Sequence, residues 1–310
     1  MIGLEVDTVC LNSGQYAVYS SICYFDVFNH PVKINEILEF ASSKVSPESI
    51  TVILNELLNL KLISEHDGFY FLDKVNSGLI KKRSGSEQRF HKKQRIIKWF
   101  AGFISRFPFV ESVSISGSCS KGLLDEKGDV DYFIITSPQK VWLCRTILVA
   151  FKKIFLFNSK KYFCVNYFID VDHLEIPDKN TFVASEIRTL VPVSNKALFE
   201  KFLEENAWTR EFLPNKTHYN AFFLNEKKPK KYFFGFVEFI LDNQLGEALD
   251  KWCFKLTLSS WEKKFPHFRR EDFDLNMRSK KNVSKHHPHG HQQKVLFELN
   301  KKLEKIKLVA

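Results

Sequence analysis

FVESVSISGSCSKGLLDEKGDVDYFIIT, residues 109–136, holds two apolar runs on either side of a polar, glycine-containing segment. Val110, Val113 and Ile115 give a short apolar strand that stops at Ser116-Gly117-Ser118. A polar, glycine-containing connection from Cys119 to Gly128 follows, and Asp129-Val130-Asp131 opens a second apolar strand through Tyr132 to Ile135. Strand alternation puts Asp129 and Asp131 on one face, about 6–7 Å apart along the chain. Two unpaired carboxylates at roughly 5 Å and an effective dielectric near 20 repel by about 3 kcal/mol. A divalent cation between them removes that cost, and an all-oxygen ligand set favours Mg²⁺. Upstream, a glycine directly after a strand lets backbone approach a phosphate closely, where the following N–H groups and the Ser118 hydroxyl can donate to it. Phosphate donors beside two metal-binding acids are what phosphoryl or nucleotidyl transfer needs, because that chemistry is mostly positioning and charge neutralisation.

The order strand, Gly-Ser, polar connection, Asp-hydrophobic-Asp resembles the DNA polymerase β-like nucleotidyltransferase superfamily. The resemblance covers some thirty residues of the chain and implies an α+β fold, a small mixed nucleotidyltransferase sheet flanked by helices. It implies nucleotide binding by Gly117, Ser118, Ser120 and Lys121. It also implies Mg²⁺, with Mn²⁺ as an accepted substitute, on Asp129 and Asp131. The superfamily takes a third carboxylate from the strand beside the Asp-x-Asp strand, to orient or deprotonate the attacking hydroxyl. Here that strand is the β-rich run Tyr162 to Ile169, and alternation places Cys164, Asn166, Phe168 and Asp170 on one face. Asn166 stands where the carboxylate is expected, and an amide cannot act as a general base at neutral pH. Either Asp170 joins Asp129 and Asp131 as the catalytic acids, or nucleotide and metal are bound with crippled chemistry. Asp172 and Glu175 are lesser candidates, and a turn role suits Asp170 and Asp172 equally well.

Upstream, residues 1–75 read as three helices and a hairpin. Tyr16 to Phe28 is closed by Asn29-His30-Pro31, Ile34 starts a second helix, and Ser46-Pro47-Glu48 starts a third with apolar residues at helical spacing. His66-Asp67-Gly68 then turns a short hairpin. This order resembles a winged helix-turn-helix. Its third helix lacks the Arg and Lys with which a recognition helix meets phosphates and base edges, so an internal or protein-contacting module is the better expectation. Residues 76–108 form a basic connecting helix with a break expected near Ser84-Gly85-Ser86. Its surface bears Lys81, Lys82, Arg83, Arg89, Lys92 and Lys93, and Arg83 or Arg89 is a candidate triphosphate contact.

Downstream, a helix from Ser137 to Phe155 completes, with the Tyr162 run, an α/β core over residues 109–180. Arg145 in that helix reads as a core-edge residue. Residues 181–310 read as a helical C-terminal cap, with helices over 181–190, 195–206, 231–252 and 292–307. The tract Ser284 to His291 concentrates His286, His287, His289 and His291. Pro288 and Gly290 make it a loop, and neutral imidazoles suit Mg²⁺ poorly.

Composition bounds the rest. An apolar share of 44% over 310 residues supports a globular chain with ample core, and 31 phenylalanines predict bulky packing. The excess of 46 basic over 36 acidic residues suits a polyanionic partner without choosing between nucleotide and nucleic acid. Six scattered cysteines without a CxxC pair read as reduced cytoplasmic thiols. The N-terminus lacks signal-peptide features, and no apolar run reaches the roughly 18 residues of a membrane span, so no membrane partner is expected. The function expected is transfer of a nucleoside monophosphate from an NTP, ATP included, to an unidentified acceptor with release of pyrophosphate. The alternative is a nucleic-acid-binding regulator with a degenerate, nucleotide-sensing nucleotidyltransferase fold.

Overall fold

The structure, a computed structural model, describes residues 9–72, 77–221, 232–287, 290–304 and 306–308. It begins with β1 (Val9–Leu11) and α1 (Ser13–Asp26), whose first turn is closed by a reciprocal capping box between Asn12 and Gln15. Helices α2 (Ile34–Phe40) and α3 (Ile50–Asn59) pack on α1 through Ile22, Ile37, Leu54 and Leu57. The hairpin of β2 (Ser64–His66) and β3 (Phe69–Phe71) turns at Asp67-Gly68, both at positive φ, the geometry that suits the strand twist. The third helix starts later than its Ser-Pro signal suggests, because the Ser46 hydroxyl accepts from the Ser49 N–H in a turn ahead of it. A boundary at residue 75 falls outside the described residues.

Helix α4 (Ser77–Ile104) runs unbroken through Ser84-Gly85-Ser86, so the expected break is absent. The chain continues through β4 (Val110–Ser116), α5 (Gly117–Ser120), β5 (Asp131–Thr136), α6 (Val141–Phe155), β6 (Cys164–Asp170), α7 (Thr181–Thr189), β7 (Val191–Pro192), α8 (Lys196–Glu205) and α9 (Thr209–Phe212). It ends with α10 (Tyr232–Leu241), α11 (Gln244–Lys264), α12 (Arg270–Asn276), β8 (Ser279–Lys280), β9 (Val283–Lys285), α13 (His291–Leu303) and β10 (Ile306–Leu308). Six strands form a mixed sheet in the order β7-β4-β5-β6-β9-β8, with β5 and β6 parallel and the other neighbours antiparallel. Alternation along β5 divides the core. Tyr132 and Ile134 face the layer of α4, α6 and α11, whereas Phe133 and Ile135 face α7 and α8. The fold is therefore α+β, a mixed sheet flanked by helices.

Three features depart from the reading of residues 181–310 as helical. Strands β7, β8 and β9 join the main sheet, each too short to show periodicity. The helix expected over 231–252 divides into α10 and α11, where the Asn243 side chain accepts from Leu245 and Gly246 N–H and starts a new helix; Lys231 lies outside the described residues. The last helix stops at Leu303, and β10 pairs in parallel with β1 while Val295 and Leu299 enter the core of the N-terminal helices. No helix among the described residues is long and apolar enough to cross a membrane.

Candidate active site

The two halves of the decisive stretch meet at the start of β5. Gly117, at φ +64°, presses its Cα against Asp131, and a Cβ there would lie 2.8 Å from Asp131 Oδ2. Only glycine allows this approach. Asp129, Asp131 and Cys164 bring potential ligand atoms within 4.8 Å of one another. Strand β6 carries an irregularity at this point: Tyr132 pairs with Val165 and Phe133 with Tyr167, so Asn166 is an extra residue bulged out of the ladder. The bulge aims the Asn166 amide at the acids. Its Nδ2 donates to Asp131 Oδ1 at 2.6 Å, and the Cys164 thiol donates to Asn166 Oδ1 at 3.3 Å. Burial first, and the charge of Asp129 second, push the Asp131 carboxyl up to about 7. Burial and the neighbouring acids likewise push the Cys164 thiol well above its usual range, so it stays protonated.

Asp129, Asp131 and Cys164 are close enough to hold one metal ion between them. Two converging carboxylates supply oxygens, and the charge of Asp129, the lesser cause of the raised Asp131 carboxyl after burial, also attracts a cation. A protonated thiol adds little for Mg²⁺ or Mn²⁺, and Asn166 brings a neutral group where a third acid is expected.

The remaining predicted residues divide. Ser118 and Lys121 line a cavity of about 430 Å³ over Gly117 and Asp131. Lys121 Nζ is ion-paired to Glu186 at 2.9 Å. Ser120 is buried, and its hydroxyl donates to the Gly117 carbonyl at 2.8 Å, so it shapes the turn and does not line that cavity. Asp170 is not part of the site. It pairs with Thr136, five positions along β5 from Asp131, which is about 17 Å at the rise of a strand. It is 2% exposed, accepts from the Asp172 N–H, and lies 2.6 Å from His173 Nδ1. The bulge at Asn166 defeats the alternation that grouped Asp170 with Asn166. Asp172 and Glu175 line a different cavity on that far side. Arg83 lines the cavity over Gly117 too, though it is buried and held by Glu36, Glu87 and the Pro31 carbonyl; Arg89 Nε donates to the Leu124 carbonyl. Arg145 is half-buried with its guanidinium over the Trp261 ring, the place of a core-edge residue.

Several cavity residues carry no signal in the sequence. Glu186 reads as an ordinary polar position of α7, yet it lines the cavity and its charge contributes to raising Asp131. Tyr24, Phe28 and Phe182 also line it. The histidine tract splits: His286 packs on the Trp261 ring at 4.9 Å, His287 and His291 line the cavity, and His289 lies outside the described residues. Among the described residues these histidines form no metal-competent group.

Comparison of the chain with protein-family models, with curated proteins and with solved structures finds no match.

Proposed function

We propose that this chain is a Mg²⁺-dependent nucleotidyltransferase built on a polymerase β-like sheet, with a winged-helix-like N-terminal module. The observation that carries the reading is the fit of Gly117 against Asp131, both lining a cavity of about 430 Å³, with the Asp129 carboxylate within 4.8 Å of that of Asp131. That volume lies in the range of small-molecule sites. The backbone after Gly117 and the Ser118 hydroxyl would donate to the phosphates, and Asp129 and Asp131 would hold the cation. The bound cation supplies charge neutralisation at the phosphates. In the reaction an acceptor hydroxyl oxygen bonds to the α-phosphorus, the bridging bond from that phosphorus to the β-phosphate oxygen breaks, and pyrophosphate leaves with the bond's electron pair. Glu186, which lines the same cavity as Asp131 and is ion-paired with Lys121, would receive the hydroxyl proton, the task that Asp170 is too distant to perform. Six cysteines that form no disulfide suit a reducing compartment such as the cytoplasm.

The test is incubation of the protein with labelled NTPs and Mg²⁺. Asp129→Ala/Asp131→Ala is expected to abolish metal-dependent NTP binding, and binding that survives the double change removes the assignment. Glu186→Gln is expected to keep NTP binding and lower transfer about 10²–10⁴-fold.

One observation favours a second reading. The Asn166 amide at 2.6 Å occupies one oxygen of Asp131, which suits a nucleotide sensor without transfer, here a nucleic-acid-binding regulator. Against it, α3 has no Arg or Lys between Ile50 and Asn59. Salt-dependent, specific duplex binding together with absent transfer would favour the sensor.

A further inference from the structure

The cavity over Gly117 has a second wall, supplied by the end of α1, the turn after it and α4. Tyr24 and Phe28, in edge contact at 5.5 Å, come from the end of α1 and the turn after it; Phe182 comes from α7. Phe28 is 45% exposed. Ser86 of α4 also lines the cavity. It is 3% exposed, and its hydroxyl has no hydrogen-bond partner. A buried hydroxyl left unpaired forgoes a bond that a ligand can restore. Lys82 adds positive charge on the same wall.

This wall is tied to the phosphate floor. Arg83 links the loop after α1 to α4: its Nη1 donates to the Pro31 carbonyl and lies 2.5 Å from His30 Nε2. In turn α4 holds the connection after Gly117, through Leu124 N–H to the Ser86 carbonyl and Arg89 Nε to the Leu124 carbonyl. Aromatic surface with a few fixed polar groups is the composition of a site for a flat heterocycle. A separate, smaller cavity of about 100 Å³ beside Asn166 shares Phe182, Glu186 and His287 with the larger one and leaves room for an acceptor group.

Resting on the nucleotidyltransferase reading, we propose that the N-terminal unit, through the end of α1 and the turn after it, supplies the nucleoside-binding wall of the active site. The base of the NTP packs on Phe28 and Phe182, and the Ser86 hydroxyl bonds to the nucleoside. The module thereby serves the nucleotide and not a DNA duplex.

Calorimetric titration with Mg²⁺ and either an NTP or inorganic tripolyphosphate separates the parts, because only the NTP carries a base. Wild type is expected to bind the best of ATP, GTP, CTP and UTP more tightly than tripolyphosphate. Phe28→Ala is expected to weaken that NTP about 5- to 100-fold, the loss of one base–aromatic stack, with tripolyphosphate unchanged and Phe28→Trp restoring binding. Ser86→Ala is expected to weaken the NTP several-fold while leaving the unliganded Tm unchanged, since its hydroxyl bonds to nothing in the apo protein. Tripolyphosphate binding with NTP affinity unmoved by both substitutions overturns this inference alone. Equal weakening of both probes overturns it as well. Binding of neither probe by wild type overturns the nucleotidyltransferase reading and this inference together.

Discussion

At the scale of single residues, the site depends on what Gly117 lacks. Its positive φ and its contact with Asp131 both exclude a side chain, so Gly117→Ala is expected to displace the carboxylate and strain the turn. The expected outcome is a loss of Mg²⁺-dependent NTP affinity of at least tenfold with destabilisation of about 1–2 kcal/mol, read by calorimetry and urea unfolding. Both Gly117 and the acid pair were legible in the sequence, because each sits at a strand end where composition changes abruptly. Glu186 was not legible: a glutamate on an amphipathic helix looks the same whether it faces solvent or a cavity. Lys121 read as a nucleotide contact and lines the cavity, but its ion pair with Glu186 could not be seen from spacing alone.

At the scale of elements, one inserted residue separates expectation from outcome. Alternation along β5 holds and sorts its side chains correctly between two layers. In β6 the bulge at Asn166 shifts the phase, sending the amide to Asp131 and leaving Asp170 at the far end of the strand pair. Helix α6 shows a different long-range dependence. Its first turn has no local side-chain cap, and Asp250 of α11 supplies one, accepting from Trp142 N–H at 2.7 Å and Leu143 N–H at 2.8 Å. Asp250→Ala orphans two buried donors and is expected to cost about 2 kcal/mol in urea unfolding, with Asp250→Asn, which keeps an acceptor oxygen, costing less. Helix α4 continues through Gly85 because its two ends are packed into different cores, which outweighs the roughly 1 kcal/mol propensity cost of the glycine.

At the scale of the whole molecule, three histidines held mostly out of water couple stability to pH. Burial first, then nearby cations, lower His30 and His286 to about 3 and His287 to about 4, against an ordinary value of 6.5. At these three sites the unfolded chain binds protons that the folded chain refuses, so each histidine withdraws stability as the pH drops from 6.5 toward 4; burial raises Asp131 to about 7 and Asp250 to about 6, and these two carboxyls oppose that loss in part. The expected slope is about 1.4 kcal/mol per pH unit for each histidine in that window, read from urea unfolding at a series of pH values. His286→Phe, which keeps a ring against Trp261, is expected to reduce the slope by one proton. Closure of the chain, with β10 beside β1 and α13 in the first core, fixes the N-terminal helices in place. The sequence by itself determined the central strand pair, its glycine-serine bend and its two acids, because those signals are local and lie within thirty residues. Which third group meets the acids, that three later strands widen the sheet, and that the end of α1 walls the cavity emerge only in three dimensions. Those outcomes depend on a one-residue phase shift and on contacts between distant segments, and neither leaves a periodic trace in the chain.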